Sequence, residues 1–147
     1  MSVKMPNIKE SALWQQVKNG LEDEHTHLSR VENTAGTGIS DVTACSHGVE
    51  VWLELKVFHG NDLHFRNSQR AWIKRRLEVG GRVFVIARDG EMLYAWAAGD
   101  VLAAPFTQHP PECKSFHVKA VDLPAPLYSC RKPFNWRELR EKLFGSR

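Results

Sequence analysis

The chain has 147 residues, 42% of them hydrophobic and 25% charged, which is the balance of a soluble protein with one core. No apolar run approaches the roughly 20 residues that a membrane-spanning helix needs, and the first residues lack the apolar stretch of a secretory signal. We therefore expect a cytoplasmic protein without a membrane partner. Three cysteines without paired spacing argue against a disulfide framework or a zinc ribbon.

Basic residues are concentrated in one part of the chain. The net charge of +3 indicates a polyanionic partner only weakly. Residues 64–88, however, contain seven Lys or Arg residues and a single acidic residue, Glu78. A basic patch of this kind is typical of proteins that contact phosphates. The alternative is a helix face that is simply solvated.

The first predicted helix covers residues 7–21, with Asn7 as its N-cap. Its inward stripe consists of Leu13, Trp14, Val17 and Leu21. Glu10 falls on the same stripe, where a charge needs a partner. A loop is predicted over residues 22–37, in which residues 28–31 are a candidate strand.

A β-hairpin is predicted from residues 39–45 and 49–57, because the second segment alternates strictly between apolar and polar residues. His47 and Gly48 form its two-residue turn, since glycine takes positive φ without cost and histidine tolerates it better than most residues.

This register places two carboxylates on one face of the sheet. Asp41 lies directly opposite Glu54, and Lys56 lies two residues further along the same face. Like charges in such positions repel each other. Water at an exposed surface, protonation of one carboxyl or a bound divalent cation can offset the repulsion, and a cation does so best. Asp, Glu and Lys beside a cation are the groups that phosphodiester hydrolysis requires.

A second helix is predicted over residues 68–79, capped by Asn67 or Ser68 and ended by Gly80-Gly81. Its inward stripe consists of Gln69, Trp72, Ile73, Arg76 and Leu77. Residues 82–88 and 91–97 then predict another hairpin, with a type I′ turn at Asp89-Gly90.

Beyond residue 100 the sequence is rich in proline. Residues 105–133 are predicted to be mostly irregular, with one strand at 116–121, and a last helix covers residues 135–144. The order of elements predicts an α/β sandwich on a small mixed sheet. We expect a single domain over residues 1–147, with its core at about 8–100 and a C-terminal extension over about 101–147.

The central motif resembles that of the PD-(D/E)XK nuclease superfamily. Gly38-Ile39-Ser40-Asp41 precedes a short hairpin that ends in Glu54-Leu55-Lys56, although Ser40 replaces the usual proline. A glutamine at the start of a helix and a glycine-ended return to a strand are similar to the VRR-NUC branch, which includes small phage and bacterial nucleases. Asn67-Ser68-Gln69 departs from the Pro-Glu-Gln of that branch. Archaeal Holliday junction resolvases are more distant relatives.

The resemblance covers residues 8–97 and implies a restriction-endonuclease-like core, in which a small mixed sheet is flanked by helices. It implies a nuclease that depends on Mg²⁺, for which Mn²⁺ can substitute. In this interpretation Lys56 serves the attacking water, and Gln69 belongs to the catalytic set near the metal. The implied metal ligands are Glu10, Asp41, Glu54 and the carbonyl of Leu55.

The implied function is a structure-selective DNA endonuclease that cuts branched DNA, such as Holliday junctions, in recombination or repair. It would act as a homodimer, because a junction needs two symmetric cuts, and in the host cytoplasm if a phage encodes it. The residues predicted to contact DNA phosphates are Arg66, Arg70, Lys74 and Arg75. The alternatives are a flap or restriction-type nuclease, or a non-catalytic nucleic-acid-binding module on the same fold.

Overall fold

The computed structural model describes residues 9–31 and 37–145. No helix in these two ranges is long and apolar enough to cross a membrane. In chain order the elements are α1 (Glu10–Leu21), β1 (Thr26–Arg30), β2 (Val42–Ser46), β3 (Val49–Val57), β4 (Asp62–Arg66), α2 (Asn67–Glu78), β5 (Val83–Asp89), β6 (Met92–Ala97), α3 (Ala98–Leu102), β7 (Thr107–Gln108), β8 (Ser115–Lys119), β9 (Tyr128–Arg131) and α4 (Trp136–Phe144).

The main sheet has six strands in the order β1-β2-β3-β5-β6-β9. Strands β3 and β5 are parallel, and every other neighbouring pair is antiparallel. The parallel pair requires a crossover, which β4 and α2 provide. A second sheet of three strands has the order β4-β8-β7. The predicted α/β fold with a central mixed sheet flanked by helices is confirmed.

The hairpin of β2 and β3 has the predicted turn and register. His47 and Gly48 both take positive φ, at 49° and 79°, and Ser46 pairs with Val49 across the turn. Strand β2 begins only at Val42, three residues later than predicted. The register that places Asp41 near Glu54 therefore holds, although the ladder stops one residue short of this pair.

Helices cover both faces of the main sheet and produce two apolar layers. The layer with α1 and α4 includes the fully buried Leu13, Val17, Leu139 and Leu143. The layer with α2, α3 and the small sheet includes Phe65, Ile73 and Phe116. Strand β5 lies between the two layers, and its residues 83–88 are all buried, as is usual for a parallel strand covered on both faces.

Two predictions about helix starts are wrong. Glu10 is exposed rather than on the buried stripe, because it is the first residue of α1, where a carboxylate interacts favourably with the helix dipole. The predicted cap Asn7 lies outside the described residues. Helix α2 begins at Asn67 with Arg66 as its N-cap, since the side chain of Gln69 accepts a hydrogen bond from the Arg66 amide. The helix ends at Glu78, one residue before the predicted end, and Gly80 beyond it has a φ of 88°.

The turn of the second hairpin also differs from the prediction. Asp89 pairs with Met92, so the two turn residues are Gly90 and Glu91 rather than Asp89 and Gly90. Gly90 takes a positive φ of 57° at the first turn position. Gly90 therefore takes the left-handed conformation of this turn, and Asp89 remains in the extended strand.

The chain beyond residue 100 is part of the core, contrary to the prediction of an extension. Strand β9 pairs with β6 at the edge of the main sheet, and β8 pairs with β4. Strand β4 is not among the strands predicted from the sequence. The last helix is confirmed, because Asn135 Oδ1 accepts a hydrogen bond from the Glu138 amide at 3.0 Å. The strand predicted at 116–121 is confirmed as β8. Strands β4 and β9 were not predicted, because their partners are distant in sequence and local patterns do not reveal them.

We predict that Leu139→Ala lowers the free energy of unfolding by about 2–5 kcal/mol, because it opens a cavity beneath the main sheet. The matched control is Val121→Ala, since Val121 is 86% exposed and its truncation should cost less than about 0.5 kcal/mol. Urea denaturation measures both values. Equal values for the two variants would show that α4 is not part of the core.

Candidate active site

Strand β3 carries two charged side chains into the protein interior. Successive side chains of a strand point to opposite faces, and the apolar ones pack in the layer with α1 and α4. These apolar residues are Val51, Leu53, Leu55 and Val57. Glu54 and Lys56 face the other layer, where they are 0% and 7% exposed. Because α2 and the small sheet cover this face, both groups are largely removed from bulk water and need partners inside the protein.

Gln69 supplies those partners. Its Nε2 donates to Glu54 Oε1 at 2.9 Å. Its Oε1 accepts from Lys56 Nζ at 3.0 Å and from the Arg66 amide at 2.8 Å. The amide can make all three hydrogen bonds in one orientation only, because its oxygen must face both donors. Gln69 is 5% exposed, and the buried position predicted for it is confirmed.

The ammonium group of Lys56 has two further neighbours. Its Nζ lies 3.6 Å from Glu54 Oε1 and 4.6 Å from the centroid of the Phe65 ring. An aromatic face attracts a desolvated cation. Phe65 belongs to β4, so the small sheet contributes directly to the position of the lysine.

Asp41 approaches the same group from the bend before β2. Its Oδ2 accepts a hydrogen bond from the Leu55 amide at 2.9 Å, and its carbonyl accepts from the Val31 amide at 2.8 Å. The first contact connects the Asp41 carboxylate to β3 between Glu54 and Lys56. The structure thus brings together Asp41, Glu54 and Lys56, as the sequence predicts.

The peptide of Leu55 faces the Asp41 side of β3. The amides of Trp52 and Phe58 donate towards β5, and in a strand the N–H and C=O of one residue point to the same side. The even-numbered residues of β3 therefore bond to β5, while Leu55 points to the opposite side. Its carbonyl consequently lies on the edge where Asp41 stands, in a position consistent with its predicted role as a ligand.

Glu54 is held in an environment that disfavours its charge. Burial raises the pKa of Glu54 to about 8, the neighbouring Asp41 carboxylate acts in the same direction, and Lys56 opposes it. Glu54 Oε2 and Ser40 Oγ are both buried, and neither makes a hydrogen bond of ordinary geometry within the described residues, although the Ser40 hydroxyl is close enough to lower the pKa of Glu54. Two adjacent carboxylates and these two oxygen atoms form a pocket of oxygen donors beside a single ammonium group, that of Lys56.

A magnesium ion suits this donor set, because Mg²⁺ takes one or two carboxylates together with waters and phosphate oxygens. Asp41, Glu54 and the Leu55 carbonyl are the donors that would hold it. Within the described ranges no group of three or more His, Cys, Asp or Glu side chains forms a metal site. The exposed Glu10 is therefore not brought to Asp41 and Glu54 as part of such a group.

The predicted basic patch is only partly a free surface. Arg66 and Lys74 are exposed, and Arg75 is exposed beside Glu78 at 3.5 Å. Arg70 instead donates to the Leu102 carbonyl at 3.1 Å and lies over the Phe106 ring.

Three further arginines of residues 64–88 have structural contacts. Arg76 lies over the rings of Trp52 and Trp72, Arg82 donates to the Leu143 carbonyl, and Arg88 is 3% exposed. The charge that remains available to a polyanion comes mainly from Arg66, Lys74 and Arg75.

Three contributors to the site were not predicted as such. Phe65 lies under the lysine, and the alternation of apolar and polar residues over 62–66 could have revealed its strand. The Ser40 hydroxyl is buried next to Asp41, which no local pattern signals. Gly38 has a φ of 71°, and a Cβ there would lie 2.1 Å from the Ser68 carbonyl oxygen. The segment that leads to Asp41 therefore passes directly against the first turn of α2.

The fold is similar to that of a solved Holliday junction resolvase, Hjc from the hyperthermophilic archaeon Archaeoglobus fulgidus. The TM-score is 0.51 with 12% sequence identity, over 80% of this chain and 93% of that chain. No protein-family model matches the chain, and no curated protein matches it. At this identity the likeness concerns the fold alone, and it confirms the predicted α/β core with a mixed sheet flanked by helices. The resemblance to the VRR-NUC branch stays a prediction.

We predict that Gly38→Ala displaces the first turn of α2, whereas Gly48→Ala does not. Both glycines have positive φ, but nothing lies within 4 Å of a Cβ at Gly48. Both variants carry the same backbone strain, and only the first adds a clash, which should cost about 1–3 kcal/mol more in unfolding free energy. Urea denaturation and the NMR signals of the Gln69 side-chain amide test this. Unchanged Gln69 signals in Gly38→Ala would contradict the close contact.

We predict that the metal-free protein loses stability as the pH rises from about 4.5, the ordinary pKa of a glutamate, to about 8, the pKa of Glu54 in the folded protein. In this range the folded protein retains a proton on Glu54 that the unfolded chain has released, so the unfolding free energy falls by up to about 1.4 kcal/mol per pH unit. Glu54→Gln should remove this contribution. The exposed Glu50→Gln, on the same strand, is the control and should keep the wild-type slope. Identical slopes in all three proteins would refute the raised pKa.

Proposed function

We propose that the protein is a divalent-metal-dependent DNA endonuclease that acts on branched DNA such as Holliday junctions. The observation that carries this proposal is the position of Asp41 and Lys56 beside the buried Glu54. Gln69 bonds to both Glu54 and Lys56. Two carboxylates that repel each other in a buried site are costly for a protein without a cation to bind. Their position beside an ammonium group suits the charge changes of phosphodiester cleavage.

Each residue of the site has a role in this proposal. Asp41 and Glu54 hold Mg²⁺ or Mn²⁺ through their carboxylates, and Leu55 contributes its carbonyl. When bound, such an ion polarises a phosphoryl oxygen and favours the formation of a hydroxide nucleophile. Lys56 orients the attacking water and neutralises charge that develops on the phosphate. Gln69 is a positioning residue, since it holds Glu54 and Lys56 at hydrogen-bonding distance.

The remaining assignments are supported by fewer observations. Glu10 as a fourth ligand stays a prediction from the family resemblance. Arg66, Lys74 and Arg75 are proposed to contact phosphates, whereas the contacts of Arg70 with Leu102 and Phe106 suit a structural role. Phosphate contacts orient DNA without reading its sequence, which supports an enzyme that recognises the shape of its substrate. The fold likeness to a Holliday junction resolvase supports a branched substrate. A homodimer is proposed because a junction needs two symmetric cuts.

We predict that the wild-type protein cleaves a four-way junction with Mg²⁺ or Mn²⁺ and that a chelator abolishes cleavage. A panel of junction, flap and linear duplex, resolved on denaturing gels, distinguishes the resolvase from a flap or restriction-type nuclease. Gel filtration of the protein with junction DNA tests the homodimer. Binding to DNA without cleavage of any substrate under these conditions would favour a non-catalytic module instead.

We predict that Lys56→Ala and Glu54→Gln each reduce the cleavage rate by about 10²–10³-fold, since each removes a group that acts on the developing charge. The chain contains a matched control, because Glu112-Cys113-Lys114 is a second Glu-x-Lys sequence. It lies in an exposed turn at Pro111–Cys113, so Glu112→Gln should cleave at the wild-type rate. Full activity of Asp41→Asn or Glu54→Gln would exclude the proposed site.

A further inference from the structure

The small sheet carries a group of histidines that the proposed active site does not use. Inward residues of β4 and β8 are buried, while His64 of β4 pairs with His117 of β8 on the outer face. His109 follows β7, and its amide donates to the Ser115 carbonyl at 3.0 Å. His59 precedes β4. We call this group the histidine face: His59, His64, His109 and His117.

The four rings are in direct contact. The ring of His64 lies 5.2 Å from that of His59 and 5.6 Å from those of His109 and His117, measured between centroids. His109 Nε2 lies 2.7 Å from His117 Nδ1, and His109 Nδ1 lies 2.7 Å from Ser115 Oγ. Rings this close repel each other when several are protonated, unless negative charge from outside compensates.

Flanking charges make this face weakly positive even when the histidines are neutral. Along β4 the side chains of Asp62 and Arg66 share the outer face with His64, and Lys119 of β8 pairs with Asp62. Two cations therefore stand against one anion, and each protonated histidine adds a further positive charge. Burial and the three neighbouring histidines lower the pKa of His64, whereas Asp62 acts in the opposite direction.

This arrangement suits an extended anion better than a metal ion. No three His, Cys, Asp or Glu side chains of the described segments are placed to hold a metal. Both ring nitrogens of His109 are already engaged, by Ser115 and His117. The rings are spread along two strands together with Arg66 and Lys119. A ligand with regularly spaced negative charges can compensate all of these groups at once.

We propose that the histidine face, together with Arg66 and Lys119, binds the phosphate backbone of DNA and binds it more tightly as its histidines take up protons. The inference rests on the proposed function, because it assumes that the substrate is DNA. Arg66 connects the two sites, since its backbone amide bonds to Gln69. Phe65, the neighbour of Arg66 in β4, lies under Lys56 on the inner face of the same strand.

The test is the affinity for labelled duplex and four-way junction DNA in the presence of a chelator, which prevents metal-dependent cleavage. Affinity is measured at about pH 6 and about pH 8, on either side of the ordinary histidine pKa, and at several salt concentrations. We expect tighter binding by the wild type at the lower pH. The slope of log K against log salt should be steeper there by about one for each histidine that gains a phosphate contact.

The variant His64→Gln/His117→Gln should lose most of this gain and bind as the wild type does at the higher pH. The matched control is His25→Gln/His27→Gln, which removes two exposed histidines near β1 and should keep the gain. As a second variant, Arg66→Gln/Lys119→Gln should weaken binding at both pH values. Circular dichroism and urea denaturation verify that each variant is folded.

The possible outcomes distinguish failure of this inference from failure of the proposed function. Absence of DNA binding at either pH would overturn the proposed function and this inference together. Binding without a pH-dependent gain, or an equal gain in both double variants, would overturn the inference and leave the nuclease proposal intact. A gain that appears only when the chelator is replaced by Zn²⁺ would also overturn it, because the histidines would then act as metal ligands.

Discussion

The fully buried carboxyl group of Glu54 is the feature around which the site is organised. Its side chain points to the face of the main sheet that α2 covers, and in this position a charge has no access to bulk water. Gln69 and Lys56 satisfy one of its oxygen atoms, while the neighbouring Asp41 carboxylate disfavours the charged form of Glu54. The protein therefore maintains an electrostatic conflict in its interior. Such a conflict is costly for stability and is typical of functional sites.

The side chain that forms a hydrogen bond with Glu54 also marks the start of α2. The glutamine that reaches Glu54 also accepts the Arg66 amide, so the same side chain starts the helix and completes the site. The segment before Asp41 passes so close to this first turn that only glycine fits at position 38. Helix α2 is also part of the crossover between the parallel strands β3 and β5. The topology of the sheet and the geometry of the site thus depend on the same few contacts.

The small sheet links the C-terminal part of the chain to this centre. Phe65 of β4 lies under Lys56 on one side and stacks on Phe116 of β8 on the other. Strand β8 therefore supports the lysine from a position about 60 residues further along the chain. The outer face of the same two strands carries His64 and His117. A single pair of strands separates an apolar layer that orients the lysine from a polar surface that is open to a partner.

Local patterns in the sequence were sufficient to predict the hairpin at the centre of the protein. The alternation in 49–57 and the His47-Gly48 turn determine the hairpin and its register, and the register brings Asp41, Glu54 and Lys56 together. This works because strand periodicity and turn geometry act over a few residues. The inward position of Gln69 followed in the same way from the helical period.

Features that depend on distant contacts were decided only by the tertiary structure. Strands β4, β8 and β9 are stabilised by partners far away in sequence, and the exposure of Glu10 depends on where α1 begins. Whether an arginine of residues 64–88 is free or bound likewise depends on its neighbours: Arg88 is buried, and Arg66 is exposed. The sequence by itself determined which groups can do chemistry, because that information is local. Which charges remain available to a partner is a property of the packed molecule.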